Sequence, residues 1–152
     1  MKKLLSIILS FCLFLTMNDK GAVAQISPTV NHIALYVYDL DKSAEFYKSV
    51  MQFKVIPEPF HDGRHVWFRI GAHSQLHIIK GATQVTEHDI NTHISYSVPV
   101  LKNFLTHLDA SKVNYVSFKG EPKKITPRPD GVTQVYIQDP DKFWIEINDD
   151  KF

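Results

Sequence analysis

The stretch 92–98, THISYSV, restates an earlier one, 31–37, NHIALYV. Both read as strands, rich in β-branched and aromatic residues, and each opens with a polar residue followed by histidine and isoleucine. His32 and His93 stand 61 residues apart. The elements downstream of each strand are repeated too. After 31–38 comes an amphipathic helix over 41–51, with Asp39 or Asp41 as its cap and Ala44, Tyr47, Val50 and Met51 on one face. Strands are expected at 53–57, 65–70 and 75–80, with the turn signal Asp62-Gly63 before the second. After 92–98 comes a helix over 99–111 presenting Leu101, Leu105 and Leu108. Strands are expected next at 114–118, 133–138 and 143–148, with a Pro- and Lys-rich loop at 120–131. The order βαβββ therefore occurs twice, which predicts an α+β fold built from two modules sharing one core.

Alternation along the strands separates two faces. His32, Ala34 and Tyr36 share one side of the first strand; Gln75, His77 and Ile79 share one side of the fourth. In the second module the equivalent sets are His93, Ser95 and Ser97, and Trp144, Glu146 and Asn148. The residues between them, Ile33, Leu76, Ile78, Ile145 and Ile147, are apolar and belong against the helices. His32, His77, His93 and Glu146 thus point to the opposite side, at matching places in a repeat, and all four are competent metal ligands. His61, His65, His73, His88 and His107 fall in loops or on outward faces and read as solvated.

The ends of the chain set its compartment and charge. Lys2 and Lys3 precede an apolar run over 4–17, and Ala22-Val23-Ala24 is a small-x-small site. Residues 1–24 read as a signal peptide, 25–30 as a linker and 31–149 as the domain, with module one at about 31–81 and module two at about 92–149. The apolar run is shorter than the roughly 20 residues a membrane span needs, so an exported protein, free of the membrane once cleaved, is expected. Three of the 17 basic and one of the 16 acidic residues lie in 1–24, which leaves 14 against 15. A net charge of −1 gives no electrostatic case for nucleic acid. The single cysteine, Cys12, leaves with the leader. Disulfides, thiolate catalysis and Cys-based zinc are excluded from the mature chain.

The stretches 31–37, DLDKSAEFY at 39–47 and QDPDKFWIE at 138–146 resemble the vicinal oxygen chelate superfamily, which includes glyoxalase I, extradiol dioxygenases, fosfomycin-resistance thiol transferases and bleomycin-binding proteins. The resemblance covers nearly the whole mature chain. It implies two βαβββ modules forming a curved mixed sheet around a metal-binding cleft. It also implies one divalent ion (zinc, nickel, iron or manganese) held by His32, His77, His93 and Glu146. The activity implied is that of a glyoxalase-like lyase or isomerase acting on a small substrate with vicinal oxygens through a metal-stabilised enediolate, with Glu146 as ligand and base and a metal-bound hydroxide as the rival base. Tyr36, Arg69, Ser95, Arg128 and Tyr136 are candidate substrate contacts. Relatives also imply a homodimer, in which a site can combine two chains. Three positions differ from glyoxalase I: Tyr36 stands where that family has arginine, Gly81 where it has asparagine, and His77 where it has glutamate. An iron-dependent extradiol-type dioxygenase is the alternative, with His32, His93 and Glu146 as the two-His-one-carboxylate triad and Tyr136-Ile-Gln-Asp-Pro-Asp as part of its signature. Its pattern is broken at Lys142 and at Pro127-Arg128-Pro129. A thiol transferase or a drug-binding resistance protein is the remaining alternative.

Overall fold

The computed structural model describes residues 27–151. The expected signal peptide and the start of the linker lie outside them. Module one runs β1 (His32–Val37), α1 (Leu40–Glu45) with a π-helical turn at Phe46–Val50, β2 (Lys54–Ile56), β3 (His65–Arg69) and β4 (Gln75–Lys80). Module two runs β5 (His93–Ser97), α2 (Leu101–Ala110), β6 (Thr126–Pro127), β7 (Thr133–Gln138) and β8 (Trp144–Asn148). The strands form two four-stranded sheets, ordered β1-β4-β3-β2 and β5-β8-β7-β6, each with one parallel pair and two antiparallel ones. The expected α+β duplication is present.

The repeat holds to the residue. Ala34 pairs with His77 and Ser95 with Glu146, while Trp67 on β3 faces His77 and Tyr136 on β7 faces Glu146. Alternation sorts the faces as the sequence requires. On β1, Leu35 and Val37 are buried while His32, Ala34 and Tyr36 are exposed. Leu76, Ile78, Ile145 and Ile147 are fully buried in a core that both modules share.

Of the two caps the sequence offers, Asp39 is the one used, its carboxylate accepting the Lys42 N–H at 3.1 Å. Three other local features depart from the sequence reading. On α1 the buried residues are Leu40 and Ser43, while Ala44, expected on the apolar face, is only half-buried. The strand expected at 114–118 is reduced to Val116, which exchanges two 2.9 Å backbone hydrogen bonds with Tyr136. The chain turns away at once because Ser117 closes a tight turn, its carbonyl accepting Gly120 N–H at 2.8 Å and its hydroxyl accepting Glu121 N–H at 3.3 Å. The loop expected over 120–131 contains the two-residue β6, where Pro127 sits on an edge strand that needs no donor on its outer side.

The β7–β8 turn locks the modules together. Asp141 accepts Tyr38 N–H at 2.6 Å and the Ser43 hydroxyl at 2.7 Å; Asp139 accepts the Tyr47 hydroxyl at 2.7 Å. Both carboxylates are buried. Burial, reinforced by the charge of Asp141, pushes the Asp139 pKa up to about 6, against the pull of hydrogen bonds from Tyr47 and from the Phe143 and Asp141 amides. A folded-state pKa above the unfolded value means that the stability this group contributes is full at low pH and is lost as pH rises through about 6. The difference corresponds to roughly 3 kcal/mol. Asp139→Asn should therefore gain stability relative to the parent by about that amount between pH 4 and pH 7.5, read from urea unfolding at both. A difference that stays constant with pH would contradict the assignment.

Candidate metal centre

The first sheet presents a row of parallel rings across three strands. Trp67 stacks on His77 with centroids 3.8 Å apart and an interplanar angle of 5°, and His77 stacks on His32 at 4.4 Å and 11°. His77 is buried, and His32 is exposed on an edge strand. His32 Nδ1 donates to Asn31 Oδ1 at 2.9 Å, which leaves Nε2 with its lone pair. His77 Nε2 donates to Gln75 Oε1 at 2.9 Å, so Nδ1 is its unshared nitrogen. Burial holds the His77 pKa below its ordinary value, with help from His32 and His65 nearby. A neutral imidazole is the form that ligates metal.

The second sheet presents the other pair. His93 Nδ1 donates to the Ile90 carbonyl at 2.7 Å, and its Nε2 lies 3.3 Å from Glu146 Oε2. A carbonyl can only accept, so the proton sits on Nδ1 and the Nε2 lone pair is free. Glu146 is buried, and both of its oxygens are occupied. Oε2 accepts the Tyr136 hydroxyl at 2.7 Å; Oε1 accepts Asn148 Nδ2 at 2.8 Å and the Ser95 hydroxyl at 3.0 Å. Burial would raise its pKa, but these three donors and His93 hold it below the usual glutamate value. Tyr136 is driven the other way, first by burial and then by the carboxylate it serves, and stays protonated. Gln134 Nε2 donates in turn to the Tyr136 oxygen at 2.6 Å.

The four candidate ligands thus come together two by two: His32 with His77, and His93 with Glu146. Among the described residues, no three His, Cys, Asp or Glu side chains form a group that could hold a metal ion. The sequence left open whether the four donors meet within one chain or across two; within the described residues of one chain they stand as two pairs. The reason is topological, because each pair is confined to its own sheet. Each pair nonetheless fits a divalent ion chemically: free imidazole nitrogens on one side, an ionised carboxylate and an oriented imidazole on the other.

Of the remaining candidates, Ser95 and Tyr136 hold Glu146. Tyr36 is 55 % exposed, and its ring covers Gly81 so closely that a Cβ there would collide with the phenol oxygen. Arg69 donates to the Ala72 carbonyl at 3.3 Å. Arg128 is paired with Asp130, with Asp150 a further 3.7 Å contact, so its charge is already matched. Several histidines read as solvated are engaged. His107 Nε2 donates to the Val50 carbonyl at 3.0 Å, His88 stacks on Phe143 at 4.2 Å, and His65 lies 2.8 Å from Asp62. Asn148 was placed beside Glu146 by alternation, whereas Trp67 and Gln134 were not assigned to these clusters from the sequence. Their signal lies in register: Trp67 stands directly across from His77, and Gln134 stands across from Asn148, on the same face of β7 as Tyr136.

Comparison with known proteins accords with this architecture. The chain shares its fold with a lactoylglutathione lyase from Agrobacterium tumefaciens, at 19% identity, 81% of this chain, 94% of that one and a TM-score of 0.61. A genomically encoded fosfomycin resistance protein from Listeria monocytogenes is similar at 21% identity, 84% and 97% coverage and a TM-score of 0.65. The oxidase ChaP-H2 is similar at 18% identity, 84% and 97% coverage and a TM-score of 0.63. No curated protein sequence matches the chain. The sequence profile of the glyoxalase/bleomycin resistance protein/dioxygenase superfamily matches residues 29–147, and with the doubled βαβββ register this places the chain in that superfamily.

Proposed function

We propose that the protein is a divalent-metal-dependent lyase or isomerase of the glyoxalase type, exported and acting as a homodimer on a small substrate with vicinal oxygens. Each dimer would carry two sites, formed by His32 and His77 of one protomer with His93 and Glu146 of the partner subunit. The observation that carries this reading is the division of the four donors into two pairs on equivalent strands. β1 and β5 each lie at the end of a sheet, so an outer edge of each is available to another copy.

A divalent ion held between such pairs supplies Lewis acidity toward a carbonyl oxygen. The chain's own residues do the rest. The His93 imidazole is held in one tautomer by Ile90. Tyr136, Asn148 and Ser95 keep Glu146 ionised and fixed, which suits a ligand better than the base it was expected also to be. The Trp67 ring orients His77 by stacking.

An extradiol-type dioxygenase is the second reading. The hydrogen bond from Tyr136 to Glu146, ten residues on, favours it, as does the similarity to an oxidase. Metal analysis of the purified protein, then turnover of a hemithioacetal and of a catechol, separates the two. The isomerase reading expects about one divalent ion per chain, two per dimer, and product from the hemithioacetal. Ring cleavage of the catechol with iron bound would overturn it.

A further inference from the structure

Isomerisation beside a carbonyl needs a group that takes up a proton, and every oxygen of Glu146 is already occupied by a donor. A histidine on the first sheet is arranged for that task. His65 opens β3, two residues before Trp67 and on the same face. Its Nδ1 lies 2.8 Å from Asp62 Oδ1. A carboxylate accepts, so Nδ1 carries the proton and Nε2 has the lone pair. Among the described residues Nε2 makes no hydrogen bond.

The loop before β3 is built to hold this pair. Asp62 Oδ1 also accepts Arg64 N–H at 2.9 Å, across a turn in which Gly63 takes φ +71°. Glu58 accepts Phe60 N–H at 2.6 Å and His61 N–H at 2.8 Å. The Phe60 ring lies 4.6 Å from the imidazole and 6.1 Å from Trp67, and the His65 side chain is only 13 % exposed. His65 pairs with Ile79 and Trp67 with His77, so His65 and His77 are diagonal neighbours on one face, roughly 7–8 Å apart. A small substrate spans that distance.

We propose that His65, oriented by Asp62, is the proton-transfer residue of the site; this rests on the isomerase reading above. His65 Nε2 takes the proton from the substrate carbon beside the carbonyl, and the C–H bonding pair becomes the carbon–carbon double bond of the enediolate. Asp62 stabilises the resulting imidazolium. The carbonyl π pair moves onto its oxygen in the first step; Nε2 then returns the proton to the adjacent carbon while the hydroxyl proton passes from one vicinal oxygen to the other, so the isomerisation closes with no net change in protons or electrons. Phe60 and Trp67 shield the imidazole from water.

The test uses the full-length dimer and the hemithioacetal probe. His65→Ala and His65→Gln should keep the parent's metal content, lose at least about 100-fold in kcat and leave KM within about threefold. Added imidazole should restore part of the His65→Ala activity. Asp62→Asn should lose at least about tenfold in kcat because the tautomer is no longer fixed. ¹⁵N spectra of the parent should show His65 protonated on Nδ1. A His65→Ala enzyme within about twofold of the parent overturns the role of His65 alone, as does a loss that imidazole cannot rescue or an Nε2–H tautomer in the parent. A parent that turns over no hemithioacetal overturns both the isomerase reading and the role built on it.

Discussion

Heterodimers of two metal-deficient variants should bind about half as much metal as the parent dimer. The first variant is His32→Ala/His77→Ala, which removes both donors of the first sheet. The second is His93→Ala/Glu146→Gln, which removes those of the second. Loss of a single ligand such as His93 already costs at least about tenfold in affinity, and loss of two leaves neither variant a usable site as a homodimer. Co-expression with two different tags allows the mixed dimer to be isolated. In a site shared between subunits, the intact first sheet of one chain meets the intact second sheet of the other, which regenerates one site of two. The companion site carries all four lesions and stays empty. Elemental analysis of the doubly purified dimer reads the result directly. Heterodimers without metal would remove the shared site, and a monomeric parent at micromolar concentration would remove it before any variant was made.

The sequence shows this pairing only in part, for reasons that lie in particular residues. The repeat His32-Ile33 and His93-Ile94 was visible because both strands begin alike, and the register of β4 and β8 agrees with it. Alternation assigned Leu76, Ile78, Ile145 and Ile147 to the core correctly, because a period of two leaves little choice once one face is apolar. What alternation cannot convey is the spatial relation between two sheets, so the sequence left open whether the four donors on equivalent strands meet within one chain or across two. Side-chain traffic across strands was equally hidden. The stack of Trp67 on His77 and the chain from Gln134 through Tyr136 to Glu146 depend on which residues face one another, and that is fixed by register rather than by local pattern. His65 read as solvated because nothing in HDGRH at 61–65 says that the turn folds Asp62 back onto it. Ser43 was overlooked for a related reason. A small polar residue on a helix carries no burial signal when its partner, Asp141, lies 98 residues away.

That last contact supports the second large effect, on stability. Asp141→Ala should lower stability by about 3 kcal/mol, because it strips the acceptor from the buried Ser43 hydroxyl and from the part-buried Tyr38 N–H. Each donor left without a partner costs roughly 1–3 kcal/mol; removing a carboxylate that faces Asp139 returns part of the sum. For a domain of this size the loss corresponds to a fall in Tm of about 10 °C. Asp141→Asn should cost only about 1 kcal/mol, since its amide oxygen can still accept from Tyr38 while the Ser43 hydroxyl turns to accept from the amide nitrogen. Ser43→Ala combined with Asp141→Ala should cost less than the sum of the two single changes, because both break one contact. Thermal unfolding of the four variants and the parent gives the comparison. If Asp141→Ala melts within about 2 °C of the parent, the turn does not fasten module two onto module one. The same fastening sets where the two half-sites of one chain lie relative to each other. Asp141→Ala dimers should therefore also bind metal more weakly than Asp141→Asn dimers at a temperature where both remain folded.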